Sequence, residues 1–384
     1  MRVSCWIQTA IVSKSPSSGL WPGGLLHTRD RFLLNRLVKT ALPLILSLMA
    51  STSFAAPPPR HADQGMARPA YNIIDMHLHA LPADDQGPPP MPICAPFVNW
   101  PIRDPNAPPD AYFKAFTNVE CPHKLMSPKT DDELRKRTLA VLKKHNILAV
   151  ASGRAEIVEA WRKEAPENIL SAIAFGITDA PTIDALRKLY AQSHLTVLGE
   201  VMIEYEGIAV TDPRMEPFYT LAEELNIPIA IHMGPGPPGA AYLGMQDFRM
   251  RLSNPLDLEE VLLKHPKMRI YVMHAGWPML DGMMALMYAH PQVYVDTGVI
   301  DYVLPEAEFH RYLKALVDAG MGKRIMYGSD NMVWPQAIEI SLRRIETAPY
   351  LTAVQKRDIL NNNAARFLRL PASCPPDAAA GARR

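Results

Sequence analysis

Residues 71–79 read YNIIDMHLH. The run opens apolar and Ile-rich, as a strand buried on both faces requires, and it closes on His77-x-His79. Strand side chains alternate with period two, so both imidazoles are expected on one face, with Asp75 sharing that face one layer deeper. Seven further short apolar runs follow: ILAVAS (147–152), ILSAIAFG (169–176), TVLGEVMI (196–203), IPIAIHM (227–233), RIYVMHAG (269–276), QVYVDTG (292–298) and RIMYGSD (324–330). Helical patterns lie between them, at about 131–145, 154–164, 181–192, 214–225, 255–264, 278–289, 305–319 and 335–346. Strand–helix alternation means a parallel sheet with crossovers. Eight units over roughly 300 residues predict one α/β domain, a (β/α)₈ TIM barrel with long βα loops. An open doubly wound sheet is the alternative, and the absence of a glycine-rich phosphate turn after the first run argues against it.

The chain has 12 histidines, and their placement sorts them. His145, His265 and His290 end helices, where an imidazolium meets exposed carbonyls favourably. His77, His79, His232 and His274 instead end predicted strands, three strands in all. In a closed barrel those ends form one rim, the place where barrel active sites lie. Glu200 and Asp330 end two more runs whose other residues are apolar. A lone carboxylate buried there costs several kcal/mol unless it is paired or binds a cation. Imidazoles with carboxylates suit a divalent ion, with Zn²⁺ the expected one, in one or two copies. Gly234-Pro235-Gly236-Pro237-Pro238-Gly239 spells G-x-G-x-x-G. It is rejected as a nucleotide site because phosphate is cradled by backbone N–H groups, which proline lacks.

Composition excludes other classes. The formal net charge is +1, with no run of like charges, so nothing points to a nucleic-acid partner. Residues 40–50, TALPLILSLMA, follow Arg36 and Lys39 and precede Ser53-Phe54-Ala55. A basic flank, a short apolar run and a small-x-small exit read as a secretory signal. The run is too short to span a bilayer comfortably. The expected organisation is therefore leader and signal peptide (1–55), linker (56–70), barrel (71–370) and disordered tail (371–384), exported to the periplasm, with no membrane association after cleavage. Whether the barrel forms a homo-oligomer is left open. Cleavage after Ala55 leaves Cys94, Cys121 and Cys374. Cys94 and Cys121 share the long proline-rich insertion after the first strand, and in an oxidising compartment they are expected to bridge. Two free or metal-binding thiols is the competing reading, and the long gap without a paired C-x-x-C is not a structural zinc spacing. Cys374 is expected to stay unpaired.

D-M-H-L-H on the first strand, histidines ending the fifth and sixth, and G-S-D on the eighth resemble the amidohydrolase superfamily, in its "amidohydrolase 2" branch. The C-terminal I-L-N-N-N-A-A-R-F-L resembles the tail helix that often closes these proteins. The likeness covers about residues 71–370. It implies that His77, His79 and Asp330 bind a first metal. His232 completes that site in one-metal relatives, whereas in two-metal relatives His232 and His274 hold a second ion and a strand-four carboxylate bridges the two. Glu200 stands where the bridge would be. The expected activity is metal-dependent hydrolysis of an ester, lactone or amide carbonyl in a small organic substrate. Asp330 moves the proton, and His274 binds metal or stabilises the oxyanion. The alternative is non-oxidative decarboxylation of an aromatic or unsaturated acid, which wants a cationic partner for the carboxylate at Arg154, Arg249 or Arg251. A second alternative, from another class, is metal binding without catalysis. Loops 80–130, 203–213 and 233–253 are expected to form the pocket lip, with Trp100, Trp277, Trp334 and Tyr242 as candidate lining.

Overall fold

The computed structural model describes residues 71–108 and 110–370; the expected leader, linker and tail, with Cys374, lie outside the described residues. In chain order the strands are β1 (Ile73–Ala80), β2 (Pro92–Cys94), β3 (Lys124–Met126), β4 (Ile147–Gly153), β5 (Ile169–Phe175), β6 (Val197–Val201), β7 (Ile229–Ile231), β8 (Ile270–Val272), β9 (Val293–Asp296) and β10 (Ile325–Met326). Eight of them form one parallel sheet in the order β1-β4-β5-β6-β7-β8-β9-β10, which is the order of the eight apolar runs. Met76 N–H donates to the Tyr327 carbonyl at 2.9 Å and brings β10 back to β1, so the sheet nearly closes into a barrel. Each segment expected to be helical holds an α-helix, from Asp131–His145 to Pro335–Glu346. The first shows why the boundaries were readable. Thr130 Oγ1 accepts from Glu133 N–H, and Asn146 stops the helix in a left-handed conformation at φ 52°.

Two apolar layers hold the barrel. Ile74, Met76, Leu148, Val150, Ala172, Val197, Ala230, Tyr271, Met273 and Met326 fill its interior. Ala364 and Phe367 of the tail helix Asn363–Leu368 join them, and the Phe367 carbonyl accepts from Arg269, just before β8. The tail helix therefore plugs the N-terminal end of the barrel and leaves the C-terminal end for chemistry. A larger layer, containing Ile73, Leu78, Leu134, Leu139 and Leu142, packs strands against helices.

One expectation about β1 is corrected. Pairing with β4 shifts between Asp75 and Leu78: Asp75 faces Ala149, whereas Leu78 faces Ala151. Three residues on β1 thus span two on β4, and this bulge switches the face that each side chain takes. Ile74 and Met76 point into the barrel, yet Leu78 points out and His77 and His79 point in. Asp75 consequently does not lie one layer deeper on the histidine face. Its Oδ1 accepts from the N–H groups of His77 (3.0 Å) and Ser329 (2.9 Å) and ties β1 to the segment after β10.

The insertion after β1 has more regular structure than its prolines imply. β2 and β3 pair antiparallel, a short helix spans Ala111–Thr117, and Cys94 is bonded to Cys121. From β1 the insertion reaches successive rim loops. Trp334 Nε1 donates to the Met91 carbonyl (2.8 Å), Phe97 N–H to Val303 O (3.0 Å), and Tyr112 Oη to Pro238 O (2.9 Å). Pro238 follows β7, opposite β1 in the strand order, so the insertion arches across the C-terminal mouth. Among the described residues no helix is long and apolar enough to cross a membrane. The Cys94–Cys121 bridge closes a loop with a sequence separation of 27. Cys121→Ser is expected to lower the urea midpoint, with a loss of stability of up to about 3 kcal/mol if loop entropy governs the effect; an unchanged midpoint would show that the ribbon and rim contacts hold the arch alone.

Candidate metal centre

The six side chains singled out in the sequence meet at the C-terminal mouth. His77 and His79 come from β1 and Glu200 from β6, while His232 follows β7 by one residue. His274 and Asp330 sit in turns beyond β8 and β10, because those strands are shorter than their apolar runs. None of the six is more than 7% exposed. His274 and Asp330 have φ of 56° and 45°. This left-handed conformation costs an L-residue about 1 kcal/mol or more and clusters at functional sites. Hydrogen bonds hold both residues there. His274 N–H donates to Asp296 Oδ1 (3.0 Å), Asp330 N–H donates to the His77 carbonyl, and Tyr302 Oη donates to the Asp330 carbonyl (2.9 Å).

The outer ring nitrogens set the direction of the imidazoles. His274 Nδ1 lies 2.9 Å from the Gly298 carbonyl, His77 Nδ1 lies 3.2 Å from Asp296 Oδ2, and His232 Nδ1 contacts Glu204 Oε1. The Gly298 carbonyl only accepts, so His274 Nδ1 carries the proton and its Nε2 keeps its lone pair. His77 and His232 meet their carboxylates as ion pairs, and against the opposing effect of burial Asp330 and Asp296 raise the first ring and Glu204 raises the second. All four Nε2 atoms then face Glu200. Its Oε2 is 3.7 Å from His77 and 3.1 Å from His79; its Oε1 is 3.7 Å from His232 and 4.0 Å from His274. Asp330 Oδ1 completes the inner face at 3.0 Å from His79 and 3.7 Å from His77.

Three sets of donor atoms lie within 4.8 Å of one another: His77, His79 and Glu200; Glu200, His232 and His274; and His77, His274 and Asp296. The first two share Glu200 and could hold one ion or two. In the third, His274 Nδ1 already donates to the Gly298 carbonyl. His77 Nε2 and His274 Nε2 are buried without a hydrogen-bond partner, as ligands kept for a cation would be.

Charge tells the same story. Burial alone would depress the His79 imidazolium, but hydrogen bonds to Asp330 and Glu200 overcome it and push the ring up to about 10. Burial would raise the Glu200 carboxyl, yet His77 and His79 bring it well below the usual carboxylate range. His274 is held down to about 4 by burial and by the neighbouring His232 and His77, so it stays neutral. The carboxylates therefore demand positive charge, from protons on His79 and its neighbours or from a cation that displaces them.

Three functional residues were missed. Asp296 ends the QVYVDTG run and meets the criterion that selected Glu200 and Asp330, so its signal was present. Its Oδ1 accepts from His274 N–H and Gly298 N–H (2.9 Å) and its Oδ2 faces His77. Glu204 and Tyr205 lie in a 3₁₀ turn, Ile203–Glu206, where no strand periodicity points to them. Tyr205 stacks against His232 with ring centroids 5.1 Å apart. Burial, then Glu204, Glu200 and Asp330, raise its phenol well above the ordinary range and keep it protonated. His145, His265 and His290 lie away from the centre and pair with Glu339, with Glu216 and Glu223, and with Glu259. Arg154, Arg249 and Arg251 are all exposed, and Arg249 donates to the Gln246 and Phe248 carbonyls. Among the described residues Arg344 is the one buried arginine or lysine, and it faces Glu306. Trp334 is buried packing and Trp277 donates to Glu308, whereas Trp100 and Tyr242 are exposed on the lip.

Fold and centre define a class: a (β/α)₈-barrel enzyme whose imidazoles and carboxylates meet at the C-terminal strand ends. The chain belongs to the amidohydrolase family, whose profile matches residues 74–370. Among curated proteins it is similar to Protein fluG of Emericella nidulans, 22% identical over 123 residues; the match spans 32% of this chain and 13% of that protein's length. Among solved structures it is similar to an uncharacterised TIM-barrel protein of Bordetella bronchiseptica (TM-score 0.49, 18% identity, covering 77% of this chain and 98% of that one). It is also similar to a probable 2-pyrone-4,6-dicarboxylic acid hydrolase of Acinetobacter baumannii (0.47, 14%, 78% and 99%). A third is 2,6-dihydroxybenzoate decarboxylase from Rhizobium (0.47, 12%, 78% and 99%).

Glu204 fixes the His232 ring, and partners of this kind typically contribute 10- to 100-fold to metal affinity. Glu204→Ala is therefore expected to weaken divalent-metal binding by roughly that factor in chelator competition. Glu204→Gln, whose carbonyl still accepts from Nδ1, should lose less. Equal affinity in all three proteins would show that Glu204 does not orient the ring.

Proposed function

We propose that this enzyme hydrolyses an ester, lactone or amide carbonyl of a small organic substrate, with one or two Zn²⁺ ions held by His77, His79, Glu200, His232, His274 and Asp330. The observation that carries this reading is the convergence of four Nε2 atoms on two buried carboxylates. A divalent ion bound there supplies Lewis-acid polarisation of the carbonyl and acidifies a water.

The chain's own residues account for the proton traffic. Asp330 is a carboxylate on the inner face, kept ionised by His77 and His79 against the opposing effect of burial. It takes the proton of the attacking water as the water oxygen bonds to the carbonyl carbon. When the bond to the leaving oxygen or nitrogen breaks, Asp330 returns the same proton to it. His274 is neutral and turns its Nε2 lone pair inward, so it serves as ligand or acceptor rather than as acid. Decarboxylation is supported less well. A substrate carboxylate buried here wants a cationic side chain, and the arginines considered for that role are exposed. Export is part of the proposal too, since the Cys94–Cys121 bridge suits an oxidising compartment.

Elemental analysis of purified protein should find one to two equivalents of divalent metal, and almost none in the His77→Ala, His79→Ala double variant; equal metal in both would sink the ligand assignment. A screen of esters, lactones, amides and aromatic acids should give water-dependent product without CO₂, whereas CO₂ release from an acid would favour the decarboxylase. On any substrate found, Asp330→Asn should keep much of the metal and lose at least ~10²-fold in turnover. A near-normal rate would assign proton transfer to another group.

A further inference from the structure

The turn after β6 reads Ile203-Glu204-Tyr205-Glu206-Gly207, and it is built in an unusual way. Three residues complete one turn of a 3₁₀-helix, so Glu204, Tyr205 and Glu206 point in three directions. The outer two are tied down. Glu204 Oε1 contacts His232 Nδ1. Glu206 accepts from Ile177 N–H (2.8 Å), from Thr178 N–H (3.1 Å) and from the Thr178 hydroxyl, which pins the turn to the loop after β5. Gly207 then ends the turn in the left-handed region at φ 70°. The middle residue, Tyr205, is thereby held with its ring between His232 and Phe248, at centroid distances of 5.1 Å from each.

Its hydroxyl has no partner among the described residues, and in this it stands apart. Tyr112, Tyr219, Tyr271, Tyr302, Tyr312 and Tyr327 all donate to backbone carbonyls. Partly or fully buried tyrosines ordinarily find such a partner. The loop after β7 also leaves room for the Tyr205 hydroxyl. Gly236 passes beside it at φ 55°, and a Cβ there would lie 2.9 Å from Tyr205 Oη.

The centre itself lacks what Tyr205 offers. With a cation displacing the imidazole protons, its inner face would present ring nitrogens and carboxylate oxygens, none of which donates. The neighbouring hydroxyls are already committed: Ser152 to Gly199 O, Ser253 to Gly234 O, and Ser329 to His77 O. A carbonyl oxygen that gains negative charge needs a preorganised donor. We infer that the Tyr205 hydroxyl is that donor, hydrogen-bonding the substrate's carbonyl oxygen and its developing oxyanion, and so is a catalytic residue. The ligand chemistry this selects is an oxygen that becomes anionic beside the centre, as in a carbonyl turning tetrahedral. The inference rests on the hydrolase reading for its reaction, but not for its binding test.

Tyr205→Phe removes one oxygen and keeps the ring that packs on His232 and Phe248. The probe is phenylphosphonate, a stable tetrahedral oxyanion, titrated calorimetrically into the metal-loaded full chain. The variant is expected to bind it roughly 10- to 100-fold more weakly, the worth of one hydrogen bond to a charged group, with metal content and melting temperature unchanged. On a substrate from the screen kcat should fall about 10²-fold, with a smaller change in KM. Phosphonate affinity and kcat within twofold of wild type would overturn the inference. So would a variant that loses metal together with affinity, because the ring and not the hydroxyl would then matter. So, too, would wild-type protein that binds no phosphonate. If wild type hydrolyses nothing in the screen yet binds phosphonate through Tyr205, the donor stands and the hydrolase reading falls.

Discussion

Two carboxylates, Glu200 and Asp330, are buried at the mouth of the barrel and cannot remain there alone. Desolvating an unpaired carboxylate costs more than a fold of ordinary stability can absorb, so the surroundings have to supply positive charge. They do so with imidazoles rather than with lysine or arginine. An ammonium or guanidinium would neutralise the site permanently. An imidazole with its Nδ1–H donated outward presents a lone pair inward instead, and that choice turns an electrostatic problem into a metal site. His274 is set in this way by the Gly298 carbonyl, while Asp296 and Glu204 face the outer nitrogens of His77 and His232. The buried polar shell behind the histidines is therefore part of the centre's chemistry.

The backbone is arranged to serve this arrangement. On β1 a bulge turns His77 and His79 inward after Ile74 and Met76 have already filled the interior. Without the extra residue, simple alternation would bring Leu78 to the inner face and carry both histidines to the outer one. Asp75 stabilises the altered register from behind by accepting from His77 and Ser329, and through Ser329 it anchors the segment that carries Asp330. Strands β8 and β10 stop early, and the left-handed residues His274 and Asp330 follow. Strain at these positions is tolerated because closely packed strands and hydrogen bonds on both sides leave no alternative.

Above the centre, the insertion between β1 and the helix Asp131–His145 does what none of the short rim loops could do. It runs from one side of the mouth to the other, touching the loops after β7, β9 and β10. Its ribbon and its Cys94–Cys121 bond stiffen a stretch whose prolines cannot contribute ladder hydrogen bonds. The lip it forms exposes Trp100, and Arg103 lies 4.2 Å above the exposed ring of Tyr242 on the facing loop. Substrate recognition would then be divided between this stiffened rim and a buried, polar floor.

What the sequence determined by itself was local and periodic. Eight apolar runs separated by eight amphipathic segments define a barrel, because a strand buried on both faces and a helix buried on one leave different patterns in the chain. Helix ends at Thr130 and Asn146 were legible for the same reason, since caps are set by neighbouring residues. Four histidines and two carboxylates at run ends were legible because polar residues are conspicuous where burial is expected. Tertiary structure decided the rest. The bulge on β1 depends on pairing with β4, which no pattern within YNIIDMHLH encodes, and so the reading of Asp75 went astray. Glu204 and Tyr205 gain their roles only from the approach of His232 and Phe248, which belong to other βα units. The direction of each imidazole depends on which acceptor the fold brings to its Nδ1, and those acceptors, Asp296, Glu204 and Gly298, are 219, 28 and 24 residues away along the chain. The first forms only when the barrel closes and the others only when neighbouring βα units pack, and for that reason the ligand set could be read from the chain while its orientation could not.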